Sequence, residues 1–146
     1  MGIEIRSMDI SQYDGIYALW QLTTRRALSS ADSRENLERY LNRNPGMSQV
    51  AVANGKIVGT VLAGHDGRRG FIHHMAVLPQ YRRHGIARAM AQTAVSRLCD
   101  DGISKTHIFV FRDNELGQSF WPSIGWKSCG DLTVFTFDSE GDENEI

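Results

Sequence analysis

The chain is poor in cysteine, has no long apolar run and carries almost no net charge, and each shortage removes a class of protein. Its two cysteines, Cys99 and Cys129, sit in no Cys-x-x-Cys spacing and have no histidine pair around them at zinc-finger spacing. A chain of 146 residues can hold a core without staples, so both are expected as buried small hydrophobes in a reducing compartment. No stretch approaches the roughly 18 apolar residues of a membrane-spanning helix, and Met1 to Arg6 lacks the apolar heart of a secretory signal. The formal charge is −1, which removes a global basic field for nucleic acid or a membrane surface. Phosphate-loop and dinucleotide fingerprints are missing too. Gly55-Lys56 is followed by isoleucine, and there is no Gly-x-Gly-x-x-Gly. No helical histidine spacing supplies a zinc hydrolase, so no metal is expected. There is no internal repeat. The expectation is one cytoplasmic domain. What the chain does have is arginine: only three of its 16 basic residues are lysines, at 56, 105 and 127. Forked arginine donors suit oxyanions.

In order, Ile3 to Ser7 alternates as a strand does. Asp9 and Ser11 can cap a helix carrying Ile16, Leu19, Trp20 and Leu22. Residues 23–32 are polar and read as a loop or a frayed helix end. A second helix starts near Asp32 or Ser33, carries Leu37, Tyr40 and Leu41, and stops at Asn44-Pro45-Gly46. Residues 48–53 and 56–65 are strands joined at Asn54-Gly55, a strong hairpin signal because both residues accept positive φ. A second turn at 66–70 leads into a third strand, Phe71 to Leu78. A helix then runs to around Cys99 to Gly102, Thr106 to Phe111 is a strand, and a further helix carries Leu116, Phe120 and Trp121. Residues 126–129 and 132–137 read as a terminal hairpin, and 139–146 as an acidic tail. The fold class is α+β (mixed α/β), with a parallel pair implied by the strand–helix–strand unit from Phe71 to Phe111.

The chain is organised around Phe71 to Met90. An apolar strand ends at Pro79, which has no N–H for a ladder. Arg82, Arg83, His84 and Gly85 follow, and then Ile86, Ala87, Met90, Ala94 and Leu98 recur at helical spacing. A loop feeding a helix start leaves N–H groups and a favourable dipole facing outward, a ready site for phosphate. Gly85 lets the backbone come close to such a guest.

This stretch resembles the acetyl-CoA signature of the GNAT superfamily of N-acetyltransferases, Arg/Gln-x-x-Gly-x-Gly/Ala, here Arg82-Arg83-His84-Gly85-Ile86-Ala87 after Ala76-Val77-Leu78-Pro79. The resemblance implies a GNAT-like, largely antiparallel mixed sheet flanked by about four helices, spanning residues 1–138. It implies acetyl-CoA as co-substrate and transfer of its acetyl group to a primary amine by direct attack in a ternary complex. Arg82, Arg83, His84, Gly85, Ile86 and Ala87 are the implied pyrophosphate residues. Met75, Ala76 and Val77 would pair with the pantetheine arm as an added strand does, and a backbone N–H there, at Val77, would face the thioester carbonyl. Asn114 matches a family asparagine that begins the next helix and contacts cofactor. It also suits a plain N-cap, and both roles can hold.

An amine acceptor needs help losing its proton at neutral pH, and histidine titrates in the useful range. His73 is the candidate base, near where some family members carry Glu or His. A hydrogen-bonded groove histidine is the alternative. Alternation places His73 with Met75 and Val77 and His74 opposite, and His74 is the weaker candidate. The family tyrosine that protonates the leaving thiolate is replaced by Trp121, in Phe120-Trp121-Pro122, and an indole only donates a hydrogen bond. Trp121 is therefore either a cofactor-lining residue or a core aromatic. Pro122 is a second departure, with a kink expected. The resemblance puts the acceptor along the first two helices, near Trp20, Thr24, Arg25, Arg26 and Arg34. Arginines there would suit an acidic acceptor, and solvated surface arginines are the other reading. The acceptor stays open among small molecules and peptides or proteins: protein N-terminus, lysine, polyamine, aminoglycoside or amino acid. A homodimer is left open. The rival function is a non-catalytic acyl-CoA sensor or regulatory module with the same fold.

Overall fold

The computed structural model describes residues 2–140. Five strands form one sheet in the order β1-β2-β3-β4-β5, with β1 at Ile3–Ser7, β2 at Gln49–Ala53, β3 at Lys56–His65, β4 at Gly70–Val77 and β5 at Thr106–Ile108. The first four pair antiparallel, and β5 joins β4 in parallel. Four α-helices accompany them: α1 at Tyr13–Thr23, α2 at Arg34–Arg43, α3 at Ile86–Asp100 and α4 at Glu115–Ser123. The expected class and element order hold through α4. At the β2–β3 turn Asn54 and Gly55 take φ of 52° and 75°, the handedness that suits a two-residue hairpin.

The sheet separates two helical layers. Thr60 of β3 bonds Trp20 of α1, while a side chain at the neighbouring Gly59 would meet Met90 of α3. The α3 stripe Ile86, Met90, Ala91, Ala94 and Leu98 is buried on one face, and Ile16, Leu19, Trp20 and Leu37 on the other. Gly64 permits close approach, since a Cβ there would lie 2.6 Å from the Tyr40 hydroxyl and the Asn44 side chain. That hydroxyl is buried without a hydrogen-bond partner among the described residues, and burial pushes the Tyr40 phenol pKa well up.

Several expectations are corrected. Residues 126–137 form no ladder, and β5 stops at Ile108 instead of reaching Phe111. Leu132, Val134, Phe135 and Phe137 have strand-like propensity, but their apolar parity switches between Val134 and Phe135, so no single face collects them. All four are exposed. Leu22 lies on the solvent side of α1. Cys99 and Cys129 are free but exposed rather than buried, Cys99 because it follows the buried Leu98 onto the outer face of α3. Residues 23–32 wind into two single 3₁₀ turns, Arg25–Ala27 and Ser30–Asp32. Pro122 falls in the last turn of α4. Gly125 N–H there bonds Pro122 O and Trp126 N–H bonds Trp121 O, a paired stop that needs the positive φ of Gly125 (96°). Among the described residues no helix is long and apolar enough to cross a membrane. Of the acidic tail, residues 141–146 lie outside the described part of the chain.

Candidate active site

A cleft of about 1210 Å³ opens between α2, β4, the start of α3, β5 and α4. Its size exceeds that of an ordinary small-ligand pocket.

At one end lies the Arg82–Ala87 loop. Gly85 adopts φ 74° and Arg83 φ 65°, so the chain turns left-handed twice before entering α3. No side chain caps α3, and its first hydrogen bond runs from Ala89 N–H to Gly85 O at 3.0 Å. The N–H groups of Ile86, Ala87 and Arg88 therefore head an uncapped helix end facing the cleft. Arg82, Arg83, Gly85, Ile86, Ala87 and Arg88 all line this wall. Arg82 folds back, its Nε–H donating to Val77 O at 3.1 Å, which ties the loop to the end of β4. His84 does not line the cleft. It borders a smaller hollow with Ile3, Ile5 and Ala89.

The middle of the cleft is the open edge of β4. The β4–β5 ladder covers only Gly70 to Ile72. Beyond it the chain after β5 makes no ladder with β4, and Met75, Ala76 and Val77 line the gap with no strand on that side among the described residues. An extended amide-bearing ligand fits such an edge as an added strand. Asn114 closes the opposite wall. Its Oδ1 accepts from Gly117 N–H at 3.1 Å, so it caps α4, and it also faces the cleft. Trp121 is buried yet reaches the same cleft, packed against Phe120 and Trp126 at centroid distances of 5.0 and 4.6 Å.

The histidines are where alternation fails. Thr60 pairs with Ala76, but Leu62 pairs with His73, so β4 bulges by one residue. His74 takes φ 47° at the bulge. Both histidines consequently face the α1–α2 layer: His73 meets Tyr40 of α2 edge-on at 6.3 Å, and His74 stacks on Trp20 of α1 at 4.2 Å. Val77, paired with Gly59, is on the α3 side, so His73 and Val77 do not share a face. His73 is exposed to the cleft, while the protein packed around it displaces part of its water. Burial, and then the neighbouring His74, hold its pKa below the ordinary histidine value, while Asp32 pulls weakly the other way.

His74 is fully engaged. Its Nε2 lies 3.1 Å from Asp32 Oδ1 and its Nδ1 2.8 Å from Thr24 Oγ1. With Nε2 protonated it donates to the carboxylate, and the Thr24 hydroxyl donates to Nδ1. Asp32 Oδ2 accepts from Ser29 N–H, and Thr60 Oγ–H donates to His74 O while accepting from Trp20 Nε1–H. The side chains of His74 and Asp32 are 5% and 8% exposed, so the pair is buried at the cleft floor. Removing one partner strands the other. His74→Leu is expected to cost about 3 kcal/mol of unfolding free energy, read by urea denaturation. A loss below about 1 kcal/mol, the worth of one ordinary hydrogen bond, would show that the pair does not hold this wall together.

Of the residues expected along the acceptor side, Thr24 and Arg26 line the cleft, Trp20 supports it from beneath, and Arg25 and Arg34 lie off it. Arg26 Nη1 pairs with Asp113 Oδ1 at 2.7 Å and its guanidinium caps the Phe111 ring at 3.8 Å. Sequence reasoning passed over Arg39 and Arg43 of α2, which line the cleft beside Tyr40. Their i, i+4 spacing around Tyr40 was the available signal. Among the described residues no group of His, Cys, Asp or Glu could hold a metal ion.

The acetyltransferase (GNAT) family description matches residues 13–126, and the chain belongs to that family. It is 30% identical over 132 residues to an acetyltransferase of Pectobacterium atrosepticum, covering 90% of this chain and 93% of that one. It is 34% identical over 126 residues to an acetyltransferase of Yersinia pestis, covering 86% and 89%. A solved PaiA N-acetyltransferase of Thermoplasma acidophilum, in complex with coenzyme A, shares the fold with a TM-score of 0.74 at 21% identity, over 87% of this chain and 91% of that one.

Proposed function

We propose that this acetyltransferase moves the acetyl group of acetyl-CoA to a primary amine by direct attack within one ternary complex. The observation that carries the reading is the continuity of a single cleft from the uncapped α3 start, past the open β4 edge, to His73. The α3 N–H groups, with Arg82 and Arg83, hold the pyrophosphate. The edge of Met75, Ala76 and Val77 takes the pantetheine amides, and Asn114 and Trp121 bound the arm from the other side. The thioester carbonyl then meets a β4 backbone N–H as negative charge develops on its oxygen.

His73 is the base. Its lowered pKa keeps the imidazole neutral at pH 7, ready to accept the ammonium proton. The amine nitrogen forms the C–N bond, the C–S bond breaks, and the electron pair leaves on sulfur. Trp121 can steady the thiolate only by hydrogen bonding. A thiol with a pKa of about 8.5 leaves tolerably without an acid.

Neither Cys99 nor Cys129 lines the cleft, which favours direct transfer over an acetyl-cysteine intermediate. Protein incubated with acetyl-CoA and no amine, then analysed by intact-mass spectrometry, is expected to stay unmodified. An acetyl group on either cysteine that an added amine then discharges would replace direct attack by a two-step route.

A further inference from the structure

The transfer reading leaves the acceptor unnamed, and the charges of the cleft, taken with that reading, name its class. The two ends of the cleft present arginines to different neighbours. Arg82, Arg83 and Arg88 stand beside the uncapped helix start. Arg39 and Arg43 stand on α2, one turn apart and both exposed, flanking the Tyr40 ring that meets His73. Arg82 touches β4 at Val77, four residues from His73, which with the bulge between them is about 10 Å along the strand. The α2 arginines are thus at the histidine end, away from the phosphate end.

The carboxylates lining the cleft are already engaged: Asp32 by His74 and Ser29 N–H, and Asp113 by Arg26. Among the described residues neither Arg39 nor Arg43 has a carboxylate partner, and Arg39 Nη2 donates to the neutral Asn36 Oδ1 at 2.6 Å. Two guanidinium groups at i, i+4 repel one another, and a shared anion relieves that repulsion. A polycationic amine meets the opposite: a wall of its own charge where, among the described residues, the lining carboxylates Asp32 and Asp113 are already paired.

We infer that the acceptor is a primary amine that also carries a carboxylate, which Arg39 and Arg43 grip so that the amine lies at His73. The forked donors suit one carboxylate held from two sides. The same positive wall disfavours the ammonium form and so assists His73 in removing the proton. The carboxylate can belong to a free amino acid or to an acidic peptide N-terminus.

The test compares matched acceptors at saturating acetyl-CoA: glutamate, a peptide beginning with glutamate, the same peptide beginning with glutamine and capped as an amide, and spermidine. The carboxylate acceptors are expected to exceed the amide peptide by about tenfold or more in kcat/KM, in line with a charge-assisted hydrogen bond. Which of the two acidic acceptors is faster identifies the source. In the Arg39→Gln/Arg43→Gln variant, KM for the acidic acceptor rises by about tenfold with acetyl-CoA affinity unchanged, and the preference over the amide peptide disappears. Retained acetyl-CoA binding shows that the variant is folded. Equal kcat/KM for acidic and amide acceptors, or a preference for spermidine, overturns the inference and leaves the transfer reading intact. No transfer to any amine by protein that binds acetyl-CoA overturns both.

Discussion

Gly85→Glu abolishes acetyl-CoA binding in a calorimetric titration, raising Kd by at least about 100-fold, or about 2.7 kcal/mol. The cause is charge at the ligand, not loss of the fold. A Cβ at Gly85 has no atom within 4 Å, so the side chain fits the free protein. An acidic group at a helix N-terminus is favourable to the helix itself. Two penalties remain. The left-handed φ of 74° costs a side chain about 1–2 kcal/mol, and the new carboxylate occupies the field that would hold pyrophosphate. Gly85→Asn separates them, because asparagine tolerates this φ and adds no charge. It is expected to bind acetyl-CoA within about tenfold of the wild type, about 1.4 kcal/mol. If the glutamate variant bound as the asparagine variant does, the phosphate would not sit at this helix start.

His73→Ala lowers kcat by about 10² to 10³, within the range a positioned base contributes, while acetyl-CoA affinity is unchanged. The pH dependence gives a second reading. As a base His73 must be neutral, and burial together with His74 lowers its pKa. The acid limb of kcat/KM is therefore expected below the ordinary histidine value of about 6.5, and the variant loses it. Stability follows with a definite sign. Between the lowered folded pKa and the unfolded value, the unfolded chain binds more protons, so the contribution is present above about pH 6.5 and is lost as pH falls through that window. A variant with wild-type kcat and an unchanged acid limb would remove His73 from the chemistry and return it to the bland role of a groove histidine.

The features legible in the sequence are those that local chemistry decides. Asn54-Gly55 specified its turn because only such residues take two positive φ values in succession. Arg82 to Ala87 announced a helix start because glycine and an absence of capping side chains leave N–H groups facing outward. The bulge at His74 was not legible. Alternation assumes an unbroken pleat, and the interruption lies in the pairing of β4 with β3, which no single strand encodes. The error reached the site directly, since it separated His73 from His74 and joined His73 to Val77. The terminal hairpin failed for a related reason: propensity in 132–137 describes a segment able to pair, not a partner that receives it. Asp32 was legible only as a place near which a helix starts, whereas its partner, His74, lies 42 positions away. Arg39 and Arg43 lay within reach of helical spacing, but their significance depends on Tyr40 meeting His73.

The most direct test of the transfer reading is the release of coenzyme A thiol from acetyl-CoA as a function of added amine, with the acetylated amine identified by mass spectrometry. The cleft predicts release that depends on the amine, yields one acetylated amine per thiol, and falls by about 10² or more in His73→Ala at equal acetyl-CoA occupancy. Tight acetyl-CoA binding with no amine-dependent release across the acidic, neutral and cationic acceptors would contradict it and make the cleft a sensor of its cofactor.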